Sequence, residues 1–328
     1  MQKLRLAAVV IAAALVATVV AAATARGGAT ALVPDKLVIA YQPGMGYAPL
    51  IIMKSQRTLE RRYPGMQIEW RVLPSGTAIT NGVIAGQIQV GAMGTGPFLV
   101  GYARGIDWKM IAPLNEADLW LMVKDPNIRT LADLRGKRIA TPTNTSIQAV
   151  VLRKMAEVRL GSSKALYAGL LAMDHPDGMQ ALLAGQIDAH FTSPPFQFQE
   201  KNRGARVLGR SYGYFGAHTF LGAVLTSRFY SEYTSFSNQL YRDIAAAIRL
   251  IRTNPQKVAT ILQQDAGGNP TWRQFKQWIG NAAITYTTRP RGLMRTATFM
   301  NRTDQLPGRM PSSWTDLVFP PVVPTKGS

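Results

Sequence analysis

At 328 residues with 47% apolar and 17% charged composition, the chain has material for one large core or two moderate ones, which excludes a disordered or collagen-like chain. It has no cysteine, which excludes a disulfide framework and leaves no thiol for a lipid anchor. The formal net charge of +19 suits an anionic partner, but Arg57, Arg61, Arg129, Arg153, Arg203, Arg249, Arg273 and Arg302 are scattered, and no aromatic interleaving marks a nucleic-acid surface; they read as solvated faces whose summed field concentrates small anions.

Residues 1–25 carry Lys3 and Arg5, an apolar run from Leu6 to Val20, and alanines ending in Ala23-Thr24-Ala25. This is the layout of a secretory signal peptide cleaved near Ala25. A membrane anchor is the alternative, since the run approaches the roughly 20 residues needed to span; its alanine richness and small-residue exit favour cleavage. The basic region has no twin arginine, which points to export of an unfolded chain to the periplasm and lowers the odds of a preloaded cofactor.

From Lys36 strand and helix signals alternate. The reading is strand Leu37–Tyr41, helix Ala48–Arg62, strand Met66–Val72, helix Thr77–Ala85, strand Val90–Met93 and helix Pro97–Arg104, the rhythm of a parallel sheet covered on both faces. Strands Trp108–Leu114 and Leu119–Lys124 follow. A second run comprises helix Leu131–Leu134, strand Lys137–Thr141, helix Ser146–Arg159, strand Gly169–Met173, helix Pro176–Ala184, strand Ala189–Thr192 and helix Phe196–Lys201. Ala205–Ser211 and Leu221–Thr226 read as strands, and everything from Tyr230 reads as helices. Ser235 or Ser237, Asn254 and the Asn269-Pro270-Thr271 turn are the expected helix starts there. The expected architecture is α/β with two lobes: residues 36–116 and 216–328 form the first, 120–212 the second, with two crossings and a cleft between them.

AGQIQVGAMGTGPF (Ala85–Phe98) has an echo 99 residues later in AGQIDAHFTSPPF (Ala184–Phe196). Each reads as a helix end, a strand, a turn and a new helix, so each aims a strand end and a helix start at one place. In open sheets ligands sit beyond the carboxyl ends of strands, where the amides of helix starts are unpaired and partly positive. The candidate binding residues are therefore Gln42, Gly44 and Tyr47 in the first loop, then Gly94, Thr95 and Gly96 before Pro97. Thr143, Asn144, Thr145 and Ser146 offer more polar groups than one helix cap requires. Asp174, His175, Ser193 and Pro194 complete the strand ends of the second lobe. Trp120 and Tyr214 flank the crossings, Trp120 reading first as core and Tyr214 as pocket wall.

The glycine loops lack the lysine and hydroxyl of a phosphate loop and do not match a dinucleotide fingerprint. His175, His190 and His218 have no zinc spacing, so no metal is expected, and Ser193 lies in no nucleophile elbow.

Taken with the signal peptide, QPGMGYAPL (Gln42–Leu50), GVIAGQIQVGAMGTGPF (Gly82–Phe98), TLADLRGKRIATP (Thr130–Pro142) and ALLAGQIDAHFTSPPF (Ala181–Phe196) resemble the substrate-binding proteins of bacterial ABC importers. The nitrate, sulfonate and taurine type is nearest, and thiamine-precursor binders are also similar. The resemblance covers roughly Lys36 to Arg252 and implies a type II periplasmic binding protein fold whose lobes close on a small solute and dock transiently on an inner-membrane permease. A monomer without a cofactor is expected, and the scattered basic residues speak against a nucleic-acid partner. The turns matching the family's binding turns lack an arginine clamp, and Asp174-His175 is more polar than the family pattern. The expected cargo is a small sulfonate, nitrate-like oxoanion or carboxylate. A cationic or aromatic heterocycle held by Asp174, Glu116 or Asp118 is the alternative cargo. A receptor-docking sensor and an exported enzyme with His175 as base and Asp174 or Asp188 as its partner are the alternatives in other classes. Thr95→Ala is expected to weaken ligand binding.

Overall fold

The computed structural model describes residues 32–328; the predicted signal segment, residues 1–25, lies outside them. The strands are β1 (Lys36–Tyr41), β2 (Gln67–Val72), β3 (Val90–Gly94), β4 (Trp108–Ala117), β5 (Trp120–Val123), β6 (Ile139–Thr141), β7 (Leu170–Ala172), β8 (Ala189–Thr192), β9 (Arg206–Arg210), β10 (Thr219–Thr226) and β11 (Ile284–Tyr286). They form a six-stranded sheet ordered β11-β4-β10-β3-β1-β2 and a five-stranded sheet ordered β7-β6-β8-β5-β9. Central strands such as β1 (KLVIAY) and β3 (VGAMG) are apolar along their length because helices cover both faces.

The chain crosses between the sheets twice, from Ala117 to Trp120 and from Arg210 to Thr219. These crossings explain why both sheets are mixed where the sequence rhythm implies parallel ones. A strand arriving from the other sheet enters at the cleft, beside the carboxyl ends of its neighbours, and must run back against them. Accordingly β10 starts at the cleft and is antiparallel to β3, with Leu221 opposite Gly94. β5 likewise starts opposite the last residue of β8, with Trp120 against Thr192.

Three further expectations are corrected. The region after Tyr230 contains the short edge strand β11 as well as helices, paired antiparallel to β4. The helix expected over Ala48–Arg62 is two helices, Ala48–Ser55 and Thr58–Arg62, broken where Arg57 takes a left-handed conformation at φ 50°; no glycine or proline marks the break. The long helix Thr234–Thr253 has no side-chain cap at its start, so neither Ser235 nor Ser237 serves there. Asn254 does cap Pro255–Asp265, and Thr271 forms a capping box with Gln274 ahead of Trp272–Ile279.

The echoed segments fold alike. Gly86 and Gly185 both adopt positive φ, 68° and 73°, just past a helix end. The amides of Gln87 and Gln186 reach back to the carbonyls of Gly82 and Ala181 at 2.9 and 2.8 Å, the left-handed closing turn that glycine permits. Each turn feeds a central strand, β3 or β8, that ends at the cleft.

Candidate functional site

Where β1, β3, β6 and β8 end, a small cavity of about 30 Å³ lies between the sheets. The structure brings Gln42, Gly44, Tyr47, Gly94, Thr143, Ser146, His175, Ser193 and Pro194 to its wall, together with Gly76, Pro142, Gln148, Phe220 and Leu221, which the sequence reading did not single out. Helix starts surround it: Gly76 opens helix Gly76–Ile84, Gly94 and Pro97 sit at the start of Thr95–Ala103, Ser146 caps Ile147–Leu160, and His175 opens His175–Leu183. First-turn amides have no intrahelical partner and carry partial positive charge. No lysine, arginine, aspartate or glutamate lines the cavity.

Hydrogen bonds tie down the first-sheet wall. Asn115 donates from Nδ2 to the Gly46 carbonyl at 2.6 Å, and the Tyr286 hydroxyl donates to the Met45 carbonyl at 2.7 Å. Tyr47 is hydrogen-bonded to the Gln42 side-chain amide, and burial pushes its phenol up. Opposite, the Ser146 hydroxyl donates to the Thr143 carbonyl at 2.8 Å and accepts from the Ala149 amide at 3.3 Å, holding the start of its helix in place. His175 stacks on Phe196 with ring centroids 5.6 Å apart.

Other predicted residues lie elsewhere. Thr95 is buried, and its hydroxyl donates to the carbonyls of Thr219 at 2.6 Å and Phe220 at 3.2 Å, so it ties the helix start to β10 and does not line the cavity. A Cβ on Gly96 would stand 2.3 Å from the Thr145 carbonyl oxygen and 2.8 Å from the Ile147 amide nitrogen; the two halves touch there, backbone to backbone. Asn144 and Thr145 border a separate groove with Thr77, Thr80 and Asn81. The Asp174 carboxylate caps its own helix, accepting from the Asp177 amide at 3.0 Å. Trp120 packs edge-on against Phe198, under Arg210. Tyr214 lines a surface groove with Lys154, Phe215, Arg295 and Phe299.

Behind His175 the sequence reading missed two residues. His175 Nδ1 lies 3.1 Å from His190 Nε2, and His190 Nδ1 lies 2.6 Å from Glu200 Oε1. Burial lowers both histidines, His190 to about 3, and raises the Glu200 carboxyl well above its usual range. Glu200 lies in FQFQEKN, a helix whose mixed sequence carries no sign that its acid faces inward. Among the described residues no group of three or more histidine, aspartate or glutamate side chains is arranged to hold a metal ion.

A second cavity, of about 380 Å³, adjoins the first across Pro43 and Gly44 and is walled by Tyr41, Met45, Ile51, Met179, Phe196 and Phe275, with Lys54 paired to Asp265 at 3.1 Å on its wall.

The fold is that of known solute-binding proteins. The structure aligns with the alkanesulfonate-binding protein SsuA from Xanthomonas axonopodis pv. citri bound to MOPS, with a TM-score of 0.72 and 23% identity over 90% of this chain and 99% of that one. In sequence, a curated Escherichia coli (strain K12) protein named for binding aliphatic sulfonates is 30% identical over 130 residues, 39% of this chain and 40% of that protein. The taurine-binding periplasmic protein of the same strain is 24% identical over 187 residues, 56% of each chain. The matches thus span about half the length of these curated relatives. Residues 31–263 match the NMT1-like family, and that match, over a cleft built from paired strand ends, establishes that the chain belongs to the NMT1-like family.

Proposed function

We propose that the protein is the periplasmic solute-binding component of an ABC importer, capturing a small organosulfonate or related oxoanion between its two sheets and delivering it to a membrane permease. The observation that carries this reading is the convergence of four helix starts on one cavity whose wall holds no lysine, arginine, aspartate or glutamate. Such a wall offers amide and hydroxyl donors to negative charge and no carboxylate to positive charge. The small cavity suits a compact acidic head group, and the adjoining cavity, whose wall mixes apolar side chains with the Lys54–Asp265 pair, suits an organic substituent. The relatives named for sulfonate and taurine support the same cargo class.

The cation alternative loses its acids. Glu116 lies 3.3 Å from Arg291, Asp118 lies 3.8 Å from Arg210 and accepts from the Tyr212 amide, and none of these carboxylates reaches the cavity. The enzyme alternative loses its proposed dyad, because Asp188 accepts from the Arg138 amide at 2.8 Å and Asp174 caps a helix. A carrier needs no bond making. Closure around the solute requires only that the solute bind the closed form better than the open one.

The chain would reach the periplasm through its cleavable leader and act as a monomer that meets its permease transiently. Thermal-shift and calorimetric titration with ethanesulfonate, taurine, nitrate, benzoate and a cationic pyrimidine tests the cargo. Ethanesulfonate or taurine at a hundredfold excess over Kd should stabilise the fold by about 2.7 kcal/mol and be recovered unchanged. Stabilisation by the pyrimidine alone would overturn the oxoanion reading.

A further inference from the structure

One wall of the cavity is the end of a buried line of side chains. His175 Nε2 lies 3.0 Å from Gln148 Nε2, its Nδ1 meets His190 Nε2, and His190 Nδ1 meets Glu200 Oε1. Only His175 borders the cavity; His190 and Glu200 are fully buried, and Glu200 Oε2 has no hydrogen-bond partner. The line is built to fit: a Cβ on Gly178 would stand 2.7 Å from His190 Nε2.

A carboxylate with one bare oxygen and no cation beside it is costly in such a place, whereas a protonated acid donating to His190 makes the whole line neutral. The groups facing it are Gln148 from helix Ile147–Leu160, Asp174 at the start of His175–Leu183, and Gln42 and Tyr47 across the cavity. Asp177 is exposed, and Asp174 acts on His190 only through its charge.

We propose that Glu200, His190 and His175 form a proton relay that lets the cavity meet an anion with a positive charge although no lysine or arginine lines it. With the Gln148 amide turned so that its oxygen faces the ring, His175 carries its proton on Nε2; an anion that takes over this hydrogen bond draws the proton from Glu200 Oε1 to His190 Nδ1, while the proton on His190 Nε2 passes to His175 Nδ1. Imidazolium then faces the anion, carboxylate remains at Glu200, and the number of bound protons is unchanged. Neutral and cationic solutes gain nothing from the transfer, so the relay selects for charge. This rests on the oxoanion reading above and specifies how that charge is matched.

Ethanesulfonate is the probe, because it stays ionised between about pH 5.5 and 8.5. Calorimetric titrations in two buffers of different ionisation enthalpy should show wild-type affinity flat across that range with no proton taken from solvent. Glu200→Gln keeps the shape but has no acidic proton, so His175 must be protonated from solvent; affinity should fall about tenfold per pH unit above its pKa, with up to about one proton taken up. Equal proton uptake by both proteins overturns the relay. Should the variant fail to fold, nitrogen NMR of the wild type decides, since the chain has only 3 histidines. With ethanesulfonate bound at about pH 8, well above the free imidazole range, one imidazole should carry protons on both nitrogens; three neutral rings overturn the relay. Wild type that binds no ethanesulfonate at any pH brings down the oxoanion reading and the relay with it, whereas failure of the relay alone leaves binding intact.

Discussion

Gln89 and Asp188, which are 99 residues apart, make the same bond in different sheets. The Gln89 side-chain oxygen accepts from the Val38 amide at 2.9 Å while the Gln89 backbone amide donates to the Val38 carbonyl at 3.1 Å. Asp188 does likewise to Arg138, accepting at 2.8 Å and donating at 3.0 Å. Each side chain thereby locks the amino end of a central strand, β3 or β8, to its parallel neighbour. Both bonds lie at the end of the sheet away from the cavity, so Gln89→Ala and Asp188→Ala should each lower stability by about 1 kcal/mol in urea denaturation and leave ethanesulfonate affinity unchanged. A loss of affinity without a loss of stability would contradict this separation.

This pair shows how far the sequence could be read. The AGQI echo was visible because glycine past a helix end and a polar residue before a buried strand are local signals. Strand direction was not local: β10 and β5 run antiparallel because of where the crossings enter, and nothing within LGAVLT or WLMV records it. At the site, helix starts such as Ser146 and His175 were legible through caps and prolines. Gln148 lies two residues beyond a recognised cap, and first-turn geometry would have found it. His190 and Glu200 were hidden because their role comes from β8 and the following helix packing together.

Thr95 sits where a ligand-binding hydroxyl was expected, yet its hydrogen is committed to the carbonyls of Thr219 and Phe220. Thr95→Val keeps the shape and removes the donor. It should cost about 1–2 kcal/mol of stability, since two buried carbonyls lose a partner, while ethanesulfonate affinity changes less than about threefold. A tenfold loss of affinity at unchanged stability would return Thr95 to the binding site.

Gly96 tests closure itself. A methyl group there would meet the backbone at Thr145 and Ile147, which cannot rotate away as a side chain would. The clash exists only when the halves are together, so Gly96→Ala should leave the unliganded melting temperature nearly unchanged and weaken ethanesulfonate binding by more than about tenfold, equivalent to about 1.4 kcal/mol. Small-angle scattering should show the wild type contracting on ligand addition and the variant remaining extended. Contraction of both to the same profile would show that the contact is not made on closure.

Glu157 and Arg302 connect the same two halves at the surface. Arg302, in the helix Leu293–Arg302 that packs on Thr95–Ala103, forms a two-pronged pair with Glu157 at 2.7 and 2.8 Å, and Lys154 adds a bond at 2.9 Å. The Arg302 guanidinium, then Lys154, hold the Glu157 carboxyl down at about 2. Because the folded value lies below the unfolded one, the stabilisation is present in full above about pH 4.5 and is lost as pH falls through about 2. The pair is partly open to water, which screens it and makes the effect modest and sensitive to salt. Melting temperature followed from pH 5 downward should therefore fall more steeply in the wild type than in Arg302→Gln, and added salt should narrow the difference. Parallel curves at low salt would mean that the pair contributes nothing to holding the halves together.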